Sequence, residues 1–183
     1  RLLGGKQLVQ GSWVYAKAQL SQCLLHRAWE QSVHMNQPIK PWFWADISPR
    51  LRLFLPRLGI HAIVLQGDHA QALAFGPGYN VASALPGTLG TTLISGHRDT
   101  HFSFMRDIRK GDRVEIERID GQTLVYRIDH TEVVHESDVR LTRYTNTQLL
   151  LTTCWPFNSP VPGGPWRFVA VAEPVVPTSV ADV

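Results

Sequence analysis

Two apolar strands and the loop between them are apparent in residues 149–173, which read LLLTTCWPFNSPVPGGPWRFVAVAE. The first strand covers 149–153 and delivers Cys154 to a loop in which Pro156 prevents further strand pairing. The second strand covers 168–172 and follows a pair of glycines. Because a glycine-containing turn reverses the chain, the two strands are predicted to lie side by side as antiparallel neighbours.

Other short segments have the length and the apolar or alternating pattern of strands. They lie at 51–55, 61–66, 91–95, 113–119, 124–130 and 132–134. Asp120-Gly121 follows one of them and is a strong hairpin signal, because both residue types tolerate a positive φ. Roughly seven or eight short strands with turns between them and little helix predict an all-β fold, a closed or nearly closed β-barrel.

The composition fits a protein with a hydrophobic core. Hydrophobic residues make up 44% and charged residues 18% of the chain, which excludes a disordered tail, a collagen-like repeat and a disulfide-dense mini-protein. The net charge of +3 comes from scattered basic residues, so we expect no nucleic-acid partner and no polybasic membrane anchor. The sequence has no apolar run of the roughly 18 residues that a membrane-spanning helix requires.

The N-terminal part of the chain has helical rather than strand periodicity. Residues 6–33 predict one amphipathic helix, because apolar side chains recur at helical spacing; these are Val14, Ala18, Leu25 and Trp29. Two interpretations stay open: a helix that packs on the barrel, or a stalk that continues from a membrane anchor. Two prolines end the pattern. The aromatic residues 42–44 that follow are expected to pack against the body of the protein, with a belt at a membrane surface as the alternative.

These patterns divide the chain into three segments. We expect a helix and an aromatic linker over 1–49, the barrel over 50–175 and a C-terminal tail over 176–183. Because the chain starts at Arg1 rather than at a methionine, we expect it to be a soluble fragment whose N-terminus lies upstream, where a signal peptide or an anchor can precede it.

Cys154 is the candidate nucleophile. A lone cysteine is most often a small buried hydrophobe, but a thiol at the end of a strand is placed where a substrate can reach it. A free thiol has a pKa of about 8.5, so nucleophilic attack needs a nearby base or cation. We expect Cys154 to be free rather than bridged to Cys23, which falls within the helical pattern as a packing residue.

The candidate base is His97, in the segment SGHRDTH at 95–101. An imidazolium beside the thiol would stabilise the thiolate and then protonate a leaving amine. The same segment has an alternative interpretation, because His97, Asp99 and His101 alternate along the chain. In an extended segment these side chains would lie on one side and hold a divalent metal.

The third candidate is Arg167, which opens the last predicted strand about a dozen residues after Cys154. An arginine at this position offers fixed N–H donors to a carbonyl or to an oxyanion. Taken alone, it would be an ordinary charge at the end of a strand.

Together the three segments resemble the sortases, the cysteine transpeptidases of bacterial surfaces. Gly96-His97, residues 150–154 (LLTTC) and Arg167 match in order and spacing the family's Gly-His, Thr-Leu-x-Thr-Cys and downstream arginine. Leu150 departs from the family pattern, which often has threonine there. The resemblance covers residues 50–174. The segment GHRDTHF, with the N-terminal helix and the KPWFWAD stretch, is most similar to sortases of Gram-negative proteobacteria.

The resemblance implies a closed eight-stranded β-barrel with three catalytic residues on one wall. Cys154 would attack the carbonyl before the scissile bond of a C-terminal sorting signal and form a thioacyl enzyme. His97 would protonate the leaving amine and then deprotonate an incoming amine, while Arg167 would steady the oxyanion or hold the substrate backbone. Thr152 and Thr153, beside the cysteine, are further candidate substrate-binding residues.

The resemblance also implies the setting in which the enzyme works. It would be a transpeptidase and endopeptidase of the hydrolase class that needs no cofactor and no metal. Its partners would be a secreted protein with a sorting signal, often of the Leu-Pro-x-Thr-Gly type, and an amine acceptor. Since family members are tied to the cytoplasmic membrane, we expect that location, with the catalytic domain facing the periplasm or the cell exterior.

Two other classes of function stay open at this point. One is a metal-dependent hydrolase built on His97, Asp99 and His101. The other is a catalytically inactive barrel that binds peptides or glycans, in which Cys154 would have no reason to be unusually reactive.

Overall fold

The strands of the barrel follow the alternating segments of the sequence. The computed structural model describes residues 4–141 and 146–175, with the backbone alone over 4–19. The strands are β1 (Pro49–Leu55), β2 (Ile60–Gln66), β3 (Gly78–Tyr79), β4 (Thr91–Ser95), β5 (Arg113–Arg118), β6 (Thr123–His135), β7 (Gln148–Cys154) and β8 (Trp166–Pro174); the α-helices are α1 (Gly4–Met35) and α2 (Ala70–Leu73). Within the described residues, the eight strands close into a barrel in the order β1-β2-β3-β4-β7-β8-β6-β5. The predicted closed eight-stranded barrel is confirmed.

Two strands differ from the prediction. β3 was not predicted, because two residues are too short to show an alternation; it pairs parallel to β2 and antiparallel to β4. β6 is one strand where the sequence indicated two. Its register shifts between Ile128 and His130, and such a bulge interrupts the inward–outward alternation that marks a strand.

The ends of three strands meet at one end of the barrel. β7 and β8 pair antiparallel, as predicted, and their register ends with Cys154 opposite Arg167. β4 pairs parallel to β7, with Ser95 opposite Thr152. The end of β4, the end of β7 and the start of β8 are therefore neighbours.

The wall formed by β4, β7 and β8 has an inner and an outer apolar face. The inner face belongs to the barrel core and includes Ile94, Leu149, Leu151, Ala170 and Ala172. The outer face carries a separate cluster, made of Leu93, Leu150, Val169 and Val171, on which Val134, Val139 and Leu141 pack. Because successive residues of a strand point to opposite faces, Cys154 and Arg167 belong to the outer face.

Helix α1 packs on the barrel through one side. Its buried residues Leu25 and Trp29 join a cluster with Ile63 and Leu65 of β2, so the packed interpretation of the helix is confirmed for its described side chains. Cys23 is exposed. The expectation that it packs is therefore wrong, because Cys23 lies on the side of the helix that faces away from the barrel.

The segment after α1 packs only in part. Trp42 contacts Phe75 with its ring centroid 5.6 Å away, as expected. Phe43 and Trp44 are 87% and 69% exposed, so the expectation fails for these two rings, which contact each other instead.

The predicted segment boundaries stay predictions. β1 begins at Pro49 and β8 ends at Pro174, whereas the predicted tail over 176–183 lies outside the described residues. Among the helices that the structure describes, none combines the length and the apolar character needed to cross a membrane.

An ion pair between the buried Asp112 and the more exposed Arg57 stabilises the barrel away from these strand ends. Asp112 is 8% exposed and accepts hydrogen bonds from Arg57 Nε and Nη2 at 2.5 and 2.7 Å. These bonds lower the pKa of Asp112 below its usual 3.8. A carboxyl whose folded pKa is lowered stabilises the fold above its unfolded pKa and loses that contribution as the pH falls through the folded pKa.

We therefore expect Asp112→Asn to lower the free energy of unfolding at pH 7 by about 2 kcal/mol, since hydrogen bonds to charged groups are lost. The difference from wild type should narrow as the pH falls below 3.8. Urea unfolding at pH 7 and at progressively lower pH measures both effects. Asp129→Asn, at a carboxylate that is 44% exposed beside Lys110, should stay close to wild type. A gap that widens in acid would contradict the assignment.

Candidate active site

Cys154 is the last residue of β7 and is partly buried. Its Cα partner on β8 is Arg167, and the strand pairing extends one step further through the Trp155 N–H, which donates to the Trp166 carbonyl at 3.0 Å. Cys154 and Cys23 are both free thiols. The thiol thus lies at a rigid strand end, on the outer face of the barrel wall.

His97 is held beside the end of β7 by hydrogen bonds to its neighbour Gly96. The Gly96 N–H donates to the Thr152 carbonyl at 3.1 Å, and the Thr153 hydroxyl donates to the Gly96 carbonyl at 2.7 Å. Continuing the parallel register from Ser95 opposite Thr152 by two residues brings His97 level with Cys154. The imidazole is exposed, so a substrate can approach it from solvent.

The segment after His97 is a turn and not the extended strand on which the metal interpretation depended. The N–H groups of Thr100 and Phe102 both return to the His97 carbonyl, at 3.3 and 3.0 Å, and curl the chain. In the described residues, no three His, Cys, Asp or Glu side chains are grouped so as to hold a metal ion. The arrangement of His97, Asp99 and His101 therefore gives the metal interpretation no geometric support.

His101 lies near His97 but is bonded elsewhere. Burial, the larger effect, and the proximity of His97 both lower the pKa of His101, although a hydrogen bond with the backbone of Ala74 opposes them. A lowered pKa keeps this imidazole neutral at neutral pH. His101 therefore adds no positive charge beside His97 there.

Arg167 is held by contacts that fix the plane of its guanidinium. Nη2 donates to the Glu136 carboxylate at 2.5 Å, and Nη1 donates to the carbonyls of Gly164 and Trp166 at 2.5 and 3.1 Å. An arginine carries five N–H donors, so among the described residues these bonds leave at least two for a substrate oxygen. Glu136 was not predicted from the sequence, because only the pairing of β6 with β8 brings it to Arg167.

The two threonines before Cys154 face opposite ways. Thr153 uses its hydroxyl inside the sheet, to hold Gly96. Thr152 faces outward, and its buried Oγ1 has no hydrogen-bond partner among the residues that the structure describes. The substrate-binding role of both residues stays a prediction; the contact seen here for Thr153 is structural.

Arg98 is a second residue that the sequence analysis missed. It is 2% exposed and donates to the carbonyls of Pro156, Ser159 and Val161, at 2.8, 2.9 and 2.5 Å. These carbonyls belong to the loop that joins β7 to β8. The proline content of that loop was the sequence signal that could have indicated a donor such as Arg98. Prolines have no N–H to donate, so a proline-rich loop leaves carbonyls that need donors from elsewhere.

Gly96 lies against the ring of Phe102, which explains why this position has no side chain. A Cβ atom on Gly96 would lie 2.5 Å from Cγ of that ring. We expect Gly96→Ala to cost about 1–3 kcal/mol of stability, as overpacking of a core does. Thermal melts of Gly96→Ala, Phe102→Leu and the double variant measure this. The penalty should shrink in the Phe102→Leu background, and an equal penalty in both backgrounds would contradict the steric explanation.

Comparisons with known proteins agree with this geometry. Residues 53–175 match the family model described as a sortase domain. The chain is 30% identical over 125 residues to Sortase D of Bacillus subtilis (strain 168), which covers 67% of this chain and 62% of that protein. The matched stretch therefore spans less than two thirds of that relative.

Solved structures show the same fold. Sortase A from Corynebacterium diphtheriae has a TM-score of 0.64 at 25% identity, covering 75% of this chain and 66% of that chain. A Clostridium perfringens Sortase D5 transpeptidase has a TM-score of 0.69 at 17% identity, covering 86% and 99%. The second likeness supports the fold alone.

Proposed function

This chain belongs to the sortase family, and from that premise we propose that it is a cysteine transpeptidase with Cys154 as nucleophile, His97 as acid and base, and Arg167 as oxyanion donor. The observation that carries the proposal is the register of three adjacent strands. Cys154 is opposite Arg167 in the β7–β8 pair, and the backbone of Gly96, the neighbour of His97, is bonded to the end of β7.

In the acylation step, the Cys154 thiolate attacks the carbonyl carbon before the scissile peptide bond. A carbon–sulfur bond forms and the carbonyl electrons move to oxygen, where the free N–H donors of Arg167 would bind the oxyanion. The oxyanion then collapses, the carbon–nitrogen bond breaks, and His97 gives its proton to the leaving amine. The product is a thioacyl enzyme with a neutral imidazole.

In the transfer step, an incoming amine attacks the thioester carbon and His97 accepts the proton that the amine loses. The second tetrahedral intermediate collapses with breakage of the carbon–sulfur bond, which restores the Cys154 thiolate and the protonated imidazole. Atoms and protons balance over the two steps, so no cofactor is needed. The thioester is transferred rather than hydrolysed when the amine, and not water, lies beside the thioester carbon.

The partners of the reaction follow from this chemistry. We propose a protein substrate with a C-terminal sorting signal, a second molecule with a free amine as acceptor, and a location at the cytoplasmic membrane with the barrel outside.

The test is intact-protein mass spectrometry of a Cys23→Ala variant incubated with candidate C-terminal peptides. We expect a mass increase equal to the acyl fragment, located at Cys154 by peptide mapping and lost on addition of an amine. The Cys23→Ala background removes the exposed second thiol, and the same protein with Cys154→Ala is the matched control. An adduct that persists without Cys154 would overturn the proposal.

A further inference from the structure

We propose that Arg98 is a positioning residue, which fastens the loop between Cys154 and Arg167 to the turn that carries His97. The inference rests on the proposed function and adds to it the part that holds the three groups in one arrangement. Arg98 would act through the backbone of that loop and not through the substrate.

The contacts of Arg98 join two segments that are far apart in the chain. Arg98 directly follows His97 in the chain, and its guanidinium contacts the loop over 155–165. Nη1 donates to the Pro156 carbonyl at 2.8 Å, and Nη2 donates to the carbonyls of Ser159 and Val161 at 2.9 and 2.5 Å. Since this loop begins directly after Cys154 and ends just before β8, its anchoring restrains both strand ends.

The loop needs donors from outside itself. Its sequence, WPFNSPVPGGP, contains four prolines, and prolines have no N–H to offer a neighbouring carbonyl. Ser159 closes a local turn, because its hydroxyl donates to the Val161 carbonyl at 3.0 Å and accepts from the Val161 N–H at 3.3 Å. The carbonyls that this turn presents point to Arg98. A planar guanidinium fork binds them in a fixed arrangement, whereas the ammonium of a lysine is a flexible point charge.

The charge of Arg98 is buried in a way that argues against a simple ion pair. Its side chain is 2% exposed, and its carboxylate partner is Asp99, at 3.3 Å from Nε and itself 62% exposed. Burying a cation is costly unless hydrogen bonds compensate for the lost water. Here the compensation comes from the loop carbonyls. Ser159 also donates to the carbonyls of Pro156 and Val161, so removing the arginine would take one donor from each of the three carbonyls and loosen the loop.

A second contact pins the same loop from the same side. The guanidinium of Arg106 lies over the ring of Phe157, 5.8 Å from its centroid. Phe157 in turn contacts Phe168 of β8, with ring centroids 5.0 Å apart. The segment over 98–106 therefore holds both the polar and the aromatic side of the loop.

The experiment compares Arg98→Met and Arg98→Lys with wild type in acylation by a working sorting peptide, below the melting temperature of every variant. We expect kcat to fall about 100-fold in both variants, as for a misplacement of reacting groups by about 1 Å, with a smaller change in KM. Amide hydrogen exchange over 155–165 should accelerate in both.

The matched control is Arg57→Met, which also removes an arginine fork, the one bound to Asp112 and to the Asp107 carbonyl. It should lower the melting temperature but leave kcat and exchange over 155–165 close to wild type. Should Arg98→Met not fold, Ser159→Ala loosens the same turn from the solvent side and should lower kcat to a smaller extent.

Each of the following results in the variants would overturn the inference. A wild-type kcat in Arg98→Lys would show that a positive charge alone suffices at this position. If Arg98→Met does not fold, a wild-type kcat in Ser159→Ala would show that the loop does not influence the chemistry. A lower melting temperature without change in kcat or loop exchange would leave Arg98 a structural residue only. If wild type itself forms no thioacyl adduct, the proposed function fails. Independently of activity, slow amide exchange over 155–165 that is unchanged in Arg98→Met would show that Arg98 does not fasten the loop.

Discussion

Replacing His97 with glutamine should lower the rate of peptide transfer by about 1,000-fold, within the range that general acid–base catalysis contributes. His97 directly follows Gly96, whose backbone is hydrogen-bonded to Thr152 and Thr153. A change of side chain at position 97 should therefore leave the backbone in place. Glutamine keeps a polar side chain there but cannot carry a proton between the leaving and the incoming amine. Both half-reactions should therefore slow.

The pH dependence separates this role from a structural one. Wild-type activity should fall on both sides of an optimum, because one group must be protonated and another deprotonated for the reaction to proceed. His97→Gln should lose the limb that the imidazole contributes. His61→Gln, at an exposed histidine stacked on Phe54 of β1, is the control and should keep the wild-type profile. Full turnover with an unchanged profile in His97→Gln would show that another group transfers the proton.

Replacing Arg167 with lysine should lower the acylation rate on the order of 100-fold or more, because removing a preorganised oxyanion donor costs about 3 kcal/mol. The guanidinium is oriented by Glu136 and by the carbonyl of Gly164, while at least two N–H donors stay available. Lysine keeps the charge but presents a flexible ammonium without the planar fork. Arg167→Ala should be no less affected than Arg167→Lys.

Single-turnover acylation of a working sorting peptide, with folding checked by thermal melts, measures this effect. Arg127→Lys is the matched control, since Arg127 is an exposed strand arginine that donates to the Gly111 carbonyl; it should stay close to wild type. Glu136→Gln removes the carboxylate that orients Arg167, so we expect a loss between that of Arg127→Lys and that of Arg167→Lys. Near-wild-type acylation by Arg167→Lys would leave Arg167 a surface charge, whose replacement is nearly silent.

Much of the barrel could be predicted because a half-buried strand repeats its apolar residues with a period of two. β1, β4, β5 and β7 begin and end within about two residues of the predicted segments. The pairing of β7 with β8 also followed from local sequence, since only a short glycine-containing loop separates them. The prediction failed at β3, whose two residues are too few to show this alternation, and at β6, where a bulge interrupts it.

The sequence by itself determined the chemical identity of the candidate site. A thiol at a strand end, a histidine after a glycine and an arginine at the start of the next strand made Cys154, His97 and Arg167 candidates, and the resemblance to the sortases joined them into one site. Their neighbourhood in space depends on the parallel pairing of β4 with β7, which no local pattern records.

Only the tertiary structure decided which distant side chains support these three residues. It curls the segment after His97 into a turn, brings Glu136 to Arg167, and buries Arg98 against the carbonyls of the loop after β7. The contacts of Glu136 with Arg167 and of Arg98 with the loop join segments that are separate in the chain. Hydrogen bonds of this kind leave no periodicity in the sequence, because they depend on where the closed barrel brings the partners together.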